Sequence, residues 1–236
     1  MSVRNDLQIY EREAGRWWDE SDRYFRSLRS VGNFHVELMR RAWSRDLAGA
    51  RLADLGCGGG HAAIELSRMG AHVTGIDRSS EGVKVASERA REESLSTEFR
   101  CADLRDSGLP SEKFDFVIMT DVLEHIEQPE QGIQEAARLL RPGGALFVNT
   151  FNRTWCSRFA VVTLAERLGL VPRGTHDGNL FVRPGELESV AVDCGLHLEE
   201  LIWERPALLR SVRNWSIHLV VARRGFGYSA FLRKAA

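Results

Sequence analysis

The chain has 236 residues, of which 43% are hydrophobic and 28% are charged, with a formal net charge of -1 at pH 7. This length supports one α/β domain with a full core, and the near-neutral charge argues against a general nucleic-acid-binding protein. No apolar run approaches the roughly 20 residues of a membrane span. The four cysteines lack CxxC spacing and no secretory leader precedes them, which predicts reduced cysteines in a cytoplasmic protein.

The N-terminal segment is predicted to be a helical arm in front of the main domain. It is polar and rich in arginine, with one apolar pair at Trp17 and Trp18. Adjacent tryptophans usually pack into a core, and a lid over a bound cofactor is the functional alternative. Residues 33–47 carry apolar side chains at helical spacing, which predicts a helix leading into the first strand.

The stretch 51–60 organises the rest of the sequence. A short apolar run containing Asp54 is followed by glycines at Gly56 and Gly58–Gly60. A buried strand that turns through glycines into a helix brings bare backbone and a helix N-terminus close to a ligand. A tight turn that binds nothing is the alternative. The dinucleotide fingerprint G-x-G-x-x-G fails because His61 stands at its last position, which argues against an NAD-dependent dehydrogenase.

Two further strands are predicted after the glycine-rich turn. The first, at 71–76, ends at Asp77, where a carboxylate can accept hydrogen bonds from both hydroxyls of a ribose. Ser79 is a predicted N-cap for the helix that follows. The second strand, at 97–101, leads to Asp103, a residue type that is also common in turns.

The segment Thr120–His125 is expected to face the same site. It follows a strongly apolar strand at 114–119, and ligands of open α/β sheets bind outside the carboxyl ends of the strands. Another strand is predicted at 145–150. Alternation of strands and helices from 51 to 150 predicts a parallel, doubly wound sheet.

The connection 152–177 is longer than an ordinary loop. It carries apolar residues at helical spacing and four arginines, with Glu166 as the one acid before Asp177: Val161, Leu164, Ala165 and Leu168, with Arg153, Arg158, Arg167 and Arg173. A helix that caps the core and a lid that touches membrane or a lipid substrate are the two interpretations, since a basic amphipathic helix suits that interface.

The last part of the chain is predicted to add a helix from 184 to 194 and strands at 196–203 and 215–221. No acidic residue follows Glu204, whereas seven arginines and lysines do. A solvated basic face is the usual explanation of such a bias, and a site near anionic lipid or a phosphate is the alternative.

The pattern D-x-G-x-G-x-G at Asp54–Gly60 resembles motif I of the class I S-adenosylmethionine-dependent methyltransferases, and Asp77 matches the second acidic residue of that family. The resemblance implies an enzyme with an α/β fold, a doubly wound, mostly parallel, Rossmann-like sheet of seven strands whose last two form an antiparallel edge. It implies that S-adenosyl-L-methionine binds and S-adenosyl-L-homocysteine is released. The residues expected at the cofactor are Asp54, Gly56, Cys57, Gly58, Gly60, Asp77, Arg78, Asp103, Leu104 and Thr120.

Several stretches further resemble the ubiquinone-biosynthesis O-methyltransferases, which methylate polyprenylated hydroxyphenols and demethylubiquinol. These stretches are Arg16–Asp19, Leu55–Gly60, Leu123–Ile126, Asn152–Arg153, Val171–Asp177 and Phe181–Pro184. The resemblance implies a phenol, catechol or quinol acceptor. His125, Glu124 and His176 are the predicted catalytic residues. A divalent metal such as Mg²⁺ is predicted at Asp121, Glu124 and His125, and His125 is the predicted base if no metal binds.

The sequence departs from that branch at positions that bear on the substrate. The arginine expected to bind the cofactor carboxylate is missing, so His35, Arg40 or Arg41 would have to replace it. Thr120 and Asp121 stand where the branch has methionine and glutamate, and the segment after Trp203 does not match. A natural-product N-, C- or O-methyltransferase therefore stays an alternative, as does a non-catalytic methyltransferase-like binding module.

The expected organisation is a single domain. It comprises a helical arm at 1–48, a cofactor-binding core at 49–151, a lid at 152–182 and the C-terminal part of the sheet at 183–236. The expected partners are a small aromatic or quinol acceptor and no nucleic acid. The protein is predicted to be cytoplasmic, with peripheral contact with an anionic membrane as a further expectation.

Overall fold

The computed structural model describes residues 5–43, 47–167, 171 and 174–236. A mixed sheet of eight strands forms the centre of this part of the chain, in the order β3-β2-β1-β4-β5-β8-β6-β7. The strands are β1 (Arg51–Leu55), β2 (His72–Asp77), β3 (Glu98–Cys101), β4 (Phe114–Met119), β5 (Leu140–Phe151), β6 (Leu196–Pro206), β7 (Leu219–Ala222) and β8 (Gly227–Lys234). The first five are parallel, and β8 runs antiparallel to both β5 and β6.

Helices cover both faces of this sheet. They are α1 (Gln8–Arg12), α2 (Arg23–Trp43), α3 (His61–Arg68), α4 (Ser80–Glu92), α5 (Pro129–Leu139), α6 (Trp155–Arg158), α7 (Pro184–Asp193) and α8 (Leu208–Asn214). One hydrophobic cluster joins the sheet to α5 and α7, and a second joins the opposite face to α2 and α3. In the second cluster Trp43 stacks on Phe116 with ring centroids 4.4 Å apart. The sheet is therefore buried on both sides, as its apolar strands require.

Local sequence signals set the starts of several helices. The Ser79 hydroxyl accepts from the Gly82 N–H at 2.9 Å and caps α4 as predicted. Pro184 occupies the first turn of α7, where its missing N–H costs nothing, and the Glu186 carboxylate accepts from the Arg183 N–H at 3.0 Å. These contacts determine where α4 and α7 begin.

The predicted doubly wound, mostly parallel α/β fold is confirmed, but the predicted count of seven strands is wrong. The strand expected at 215–221 begins only at Leu219, because Trp215 has a left-handed backbone (φ 47°) that ends α8. The additional strand β8 has a buried centre and inserts between β5 and β6. It supplies the antiparallel partner that the 215–221 segment was expected to provide.

The connection between β5 and α7 is helical over α6 and continues as a π-helix from Phe159 to Ala165. Val161 and Val162 pack on Phe181, whereas Trp155 is 78% and Phe159 is 56% exposed. The predicted positions Leu168 and Arg173 lie outside the described residues. No helix in the described ranges is long and apolar enough to cross a bilayer.

Candidate functional site

The site lies where the strand order reverses. β1 and β4 are neighbours, but the chain continues from them to opposite sides of the sheet, which opens a crevice at their carboxyl ends. A cavity of about 670 Å³ occupies this crevice. Among its walls are the glycine-rich turn after β1, Asp77 after β2 and the segment Thr120–Val122 after β4. The alternation of strands and helices thus brings the three predicted segments together.

The glycine-rich turn has a backbone that only glycine adopts readily. Gly56, Gly58 and Gly60 have φ angles of 85°, 51° and 84°. A Cβ on Gly56 would lie 2.5 Å from Val122, and one on Gly58 would collide with the Trp17 ring. Bare backbone is therefore exposed to the cavity at the start of α3, which fits an extended ligand passing close to the chain.

Asp77 is fixed from both sides at the end of β2. Its carboxylate accepts from the Gly58 N–H at 2.7 Å and from the Ser79 N–H at 2.8 Å. Burial raises the pKa of Asp77, and these backbone hydrogen bonds oppose that rise. Each oxygen keeps a lone pair for another donor, so this carboxylate fits a pair of hydroxyl groups.

Asp54 is buried beneath the same turn and does not line the cavity. Among the described residues, neither of its carboxylate oxygens has a partner in hydrogen-bonding geometry. Burial and the charge of Asp77 raise the pKa of Asp54 to about 8, and these two effects outweigh the lowering by the Ala63 N–H. An unpaired buried acid next to an open turn fits a site completed by a cationic ligand group.

Asp103 and Leu104 form the wall of the cavity beyond β3. The Asp103 carboxylate accepts from the Arg105 side chain at 2.6 and 2.9 Å and from its backbone N–H at 2.9 Å. These hydrogen bonds lower the pKa of Asp103 to about 2. Asp103 therefore lies in a turn that its own side chain stabilises, and it also lines the cavity.

The N-terminal arm lies against the glycine-rich turn, and the packing expected of the tryptophan pair is found at Trp17, which is buried beside Phe25. The Trp18 indole N–H donates to the Gly59 carbonyl at 3.1 Å, and Trp17 lies against the turn. Glu11 accepts from the Ser79 and Ser80 hydroxyls at 2.5 and 2.8 Å, which ties α1 to the start of α4. Sequence reasoning missed Tyr10 and Glu11 as cavity residues, because isolated arm residues carry no local motif.

Two histidines and two aromatic rings meet beyond the segment that follows β4. His125 lines the cavity, and its ring lies 5.2 Å from that of His176 and 6.2 Å from that of Tyr10. Phe151 packs edge-on against His176 at 5.5 Å. Burial lowers the pKa of His125 to about 3 and that of His176 to about 4, so both rings are neutral at pH 7.

The predicted metal ligands point to different partners. Glu124 is buried and accepts from the Thr150 hydroxyl at 2.9 Å, whereas Asp121 accepts from the Asn149 amide at 2.6 Å. The His125 ring contacts Asn5. Within the described part of the chain, no three His, Cys, Asp or Glu side chains are grouped so that they could hold a metal ion. This arrangement does not fit the predicted metal site.

Asp121 connects the cavity wall to a buried polar cluster formed by His35 and Glu204. Its carboxylate lies 3.9 Å from His35 Nδ1, and His35 Nε2 lies 3.0 Å from Glu204. Burial lowers the pKa of His35, but the charge and hydrogen bond of Glu204 outweigh that effect and the net pKa is raised. Burial and the charge of Asp121 raise the pKa of Glu124 to about 8.

The predicted site residues thus divide into two groups. Those in the cavity wall are Gly56, Cys57, Gly58, Asp77, Arg78, Asp103, Leu104, Thr120, Asp121 and His125. Those outside the wall are Asp54, Gly60, Glu124 and His176. The proposed substitutes for the missing arginine also lie elsewhere: His35 is in the buried cluster, and Arg40 and Arg41 are exposed and pair with Glu37.

Comparisons with known proteins agree with this geometry. The family model described as a methyltransferase domain matches residues 53–148. The chain is 37% identical over 199 residues to the ubiquinone biosynthesis O-methyltransferase of Nitrosococcus oceani, covering 84% of this chain and 83% of that protein. It is 34% identical over 207 residues to the protein of the same name from Parvibaculum lavamentivorans, covering 83% and 81%.

A solved structure extends the likeness to the whole fold. The magnesium protoporphyrin IX methyltransferase from Synechocystis PCC 6803 with bound SAH superposes with a TM-score of 0.69 at 19% identity, covering 97% of both chains. The glycine-rich turn and Asp77, at the end of β2, both lie within the matched residues 53–148. The chain belongs to the class I S-adenosylmethionine-dependent methyltransferases, enzymes that transfer a methyl group from this cofactor to a small-molecule acceptor.

Proposed function

We propose that this enzyme methylates an oxygen of a phenol- or catechol-type ring, and that its acceptor is a prenylated quinol precursor. Relatives named ubiquinone biosynthesis O-methyltransferase, at 34% and 37% identity, support this acceptor class. The observation that carries the proposal is His125, a neutral imidazole in the cavity wall beside the Tyr10 and His176 rings. A flat aromatic acceptor fits beside the Tyr10 and His125 rings, which both line the cavity.

The cofactor-binding residues have distinct tasks in this proposal. When bound, S-adenosylmethionine supplies a methyl group on a positively charged sulfur, and that charge is lost from the sulfur on transfer. Asp77 would accept hydrogen bonds from the ribose hydroxyls, and the Leu104 backbone and Asp103 would contact the adenine. The bare backbone at Gly56 and Gly58 would make room for the methionine part. A cationic group bound there would favour the ionised form of the unpaired Asp54 beneath the turn.

Methyl transfer requires alignment of the two reactants and removal of one proton. The bound cofactor would supply the methyl group to the acceptor oxygen with cleavage of its carbon–sulfur bond, and the hydroxyl proton would pass to His125 Nε2. The lowered pKa keeps His125 unprotonated at pH 7 but also makes the ring a weak base, so proton transfer to it depends on the loss of positive charge from the nearby sulfur during methyl transfer. The positive charge lost by the donor reappears on the imidazole, so the net charge of the site is unchanged.

Proton removal by His125 needs no metal ion. Because Asp121, Glu124 and His125 are engaged with different partners, we assign no step to the predicted metal. Activity should survive exhaustive EDTA treatment. Loss of activity that Mg²⁺ or Mn²⁺ restores would contradict this assignment.

The acceptor is tested by mass spectrometry of products formed from a catechol, a prenylated quinol and an aliphatic amine in the presence of S-adenosylmethionine. Methylated catechol and quinol are expected, and methylation of the amine alone would overturn the proposal. His125→Gln should lower kcat by roughly 10²–10⁴-fold, the usual contribution of a general base. His197→Gln, an exposed histidine on β6, is the matched control and should keep full activity.

A further inference from the structure

The side chain of Asn5 makes two hydrogen bonds to one residue of the cavity. Its amide nitrogen donates to the backbone carbonyl of His125 at 3.1 Å, and its Oδ1 lies 2.9 Å from His125 Nδ1. Asn5 stands just ahead of α1, 120 positions away from His125. The N-terminal arm therefore contacts the proposed base directly.

These two contacts determine which ring nitrogen of His125 carries the proton. A backbone carbonyl only accepts hydrogen bonds, so the amide NH₂ of Asn5 must face it. The amide oxygen then faces Nδ1 and needs a donor there, so Nδ1 is protonated. A neutral imidazole has one N–H, and the other nitrogen, Nε2, is left with a free lone pair.

We propose that Asn5 is a positioning residue that holds His125 in its Nδ1–H tautomer and thereby directs the basic Nε2 into the cavity. Within the described residues Nε2 has no hydrogen-bond partner, and His125 is in the cavity wall. This inference rests on the proposed function of His125. It adds that the His125 ring has the required tautomer and orientation only when the arm lies over the site.

Further contacts of the arm hold Asn5 in place beside His125. Glu11, six positions after Asn5, is tied to the Ser79 and Ser80 hydroxyls. The N–H of Asp6 donates to the Gly174 carbonyl at 3.0 Å, next to Thr175 and His176. The same short segment therefore touches the helix that follows Asp77 and the loop that carries the second histidine. The contacts that hold the arm in place are therefore the ones that maintain the orientation of the base.

The test separates the hydrogen bond from the shape of the side chain. Asn5→Leu keeps the branched shape of the side chain without any hydrogen bond, whereas Asn5→Asp keeps the acceptor for Nδ1–H. Long-range ¹H–¹⁵N correlation spectra at pH 7 identify the protonated ring nitrogen, and His125→Gln assigns the signal among the seven histidines. Wild type and Asn5→Asp should show the Nδ1–H tautomer, and Asn5→Leu should shift towards Nε2–H.

The kinetic consequence is a loss in kcat of about tenfold to a hundredfold in Asn5→Leu, with partial recovery in Asn5→Asp and an unchanged KM for S-adenosylmethionine. Asn33→Leu is the matched control, because Asn33 bonds a different histidine, His61, at 3.1 Å. It should leave the His125 signal unchanged. An Nε2–H tautomer in the wild type, or an unchanged tautomer in Asn5→Leu, would overturn the inference. Full activity of His125→Gln would instead remove the proposed base and leave the tautomer result standing.

Discussion

Two buried carboxylates in different regions of the molecule have opposite surroundings. Asp54, on β1 of the cofactor region, is 0% exposed, and Glu204, on β6 of the C-terminal region, is 4% exposed. Glu204 bonds His35 at 3.0 Å and accepts from the Ser229 hydroxyl. Asp54 has no hydrogen-bond partner within the described ranges.

The difference indicates that Glu204 has a structural role and that Asp54 has a role in ligand binding. Burying an unpaired polar group costs free energy even when a pKa of about 8 keeps it neutral at pH 7, so such a group persists where function requires it. The C-terminal region is complete without a bound molecule. The cofactor region is not, and we expect it to gain stability when the cofactor binds.

The largest expected effect lies in the C-terminal region. Glu204→Ala should lower the free energy of unfolding by about 3–5 kcal/mol, because it leaves His35 buried without its partner. Urea denaturation measures this change. Glu200→Ala, an exposed position on the same strand, is the control and should change little. If replacing His35 and Glu204 together by leucine is as damaging as Glu204→Ala, the unpaired charge is not the cause.

A smaller loss is expected at the ribose position of the cofactor region. Asp77→Ala should weaken binding of S-adenosylhomocysteine by about 1–3 kcal/mol, the range for hydrogen bonds to a charged group. Gly58→Val should weaken it further, since a side chain would enter the space beside Trp17. Calorimetry measures both. Asp106→Ala, an exposed acid outside the cavity wall, serves as control, and equal affinities for it and Asp77→Ala would remove Asp77 from the site.

The unpaired acid predicts a pH-dependent effect in the same region. The folded-state pKa of Asp54, about 8, lies above the unfolded value of about 4. Unfolding therefore releases a proton between these values, and the contribution of Asp54 to stability falls as pH rises from about 4 to 8. Asp54→Asn removes this dependence. Its melting temperature relative to wild type should rise between pH 5 and pH 8 while affinity for S-adenosylhomocysteine falls. A constant difference across that range would show that Asp54 does not titrate as described.

The smallest effect concerns the predicted membrane contact of the 152–177 segment. Arg158 bonds the Gly178 carbonyl and the Asn179 side chain, so substituting it would disturb the loop itself. Arg167 is exposed and has no ion pair among the described residues, so it is the better residue to substitute in a test of membrane contact. Arg167→Glu should weaken retention on anionic vesicles at low salt by about 1 kcal/mol. Arg91→Glu, on α4, is the control, and equal retention of the two variants would favour a core-capping role for the segment.

The cofactor region was readable from sequence because its signals are local. The glycines, Asp77 and the apolar strand before Thr120 lie in short stretches whose spacing carries the chemistry. The pairing of His35 with Glu204 joins residues 169 positions apart, and no pattern in a single sequence reports it. β8 was missed because its centre is buried on both faces, so Tyr228 to Leu232 lacks the alternation that marks a half-buried strand.

The position of β8 between β5 and β6 has a consequence for synthesis of the chain. β6 is synthesised before β8, but in the sheet it is joined to β5 through β8. β6 therefore cannot pair with the rest of the sheet until residues 227–234 have left the ribosome. Until then the edge of β5 is open, with Leu146 and Val148 beside unpaired backbone groups. A nascent or prematurely terminated chain is thus exposed to aggregation at this edge, and chaperone demand should peak late in translation.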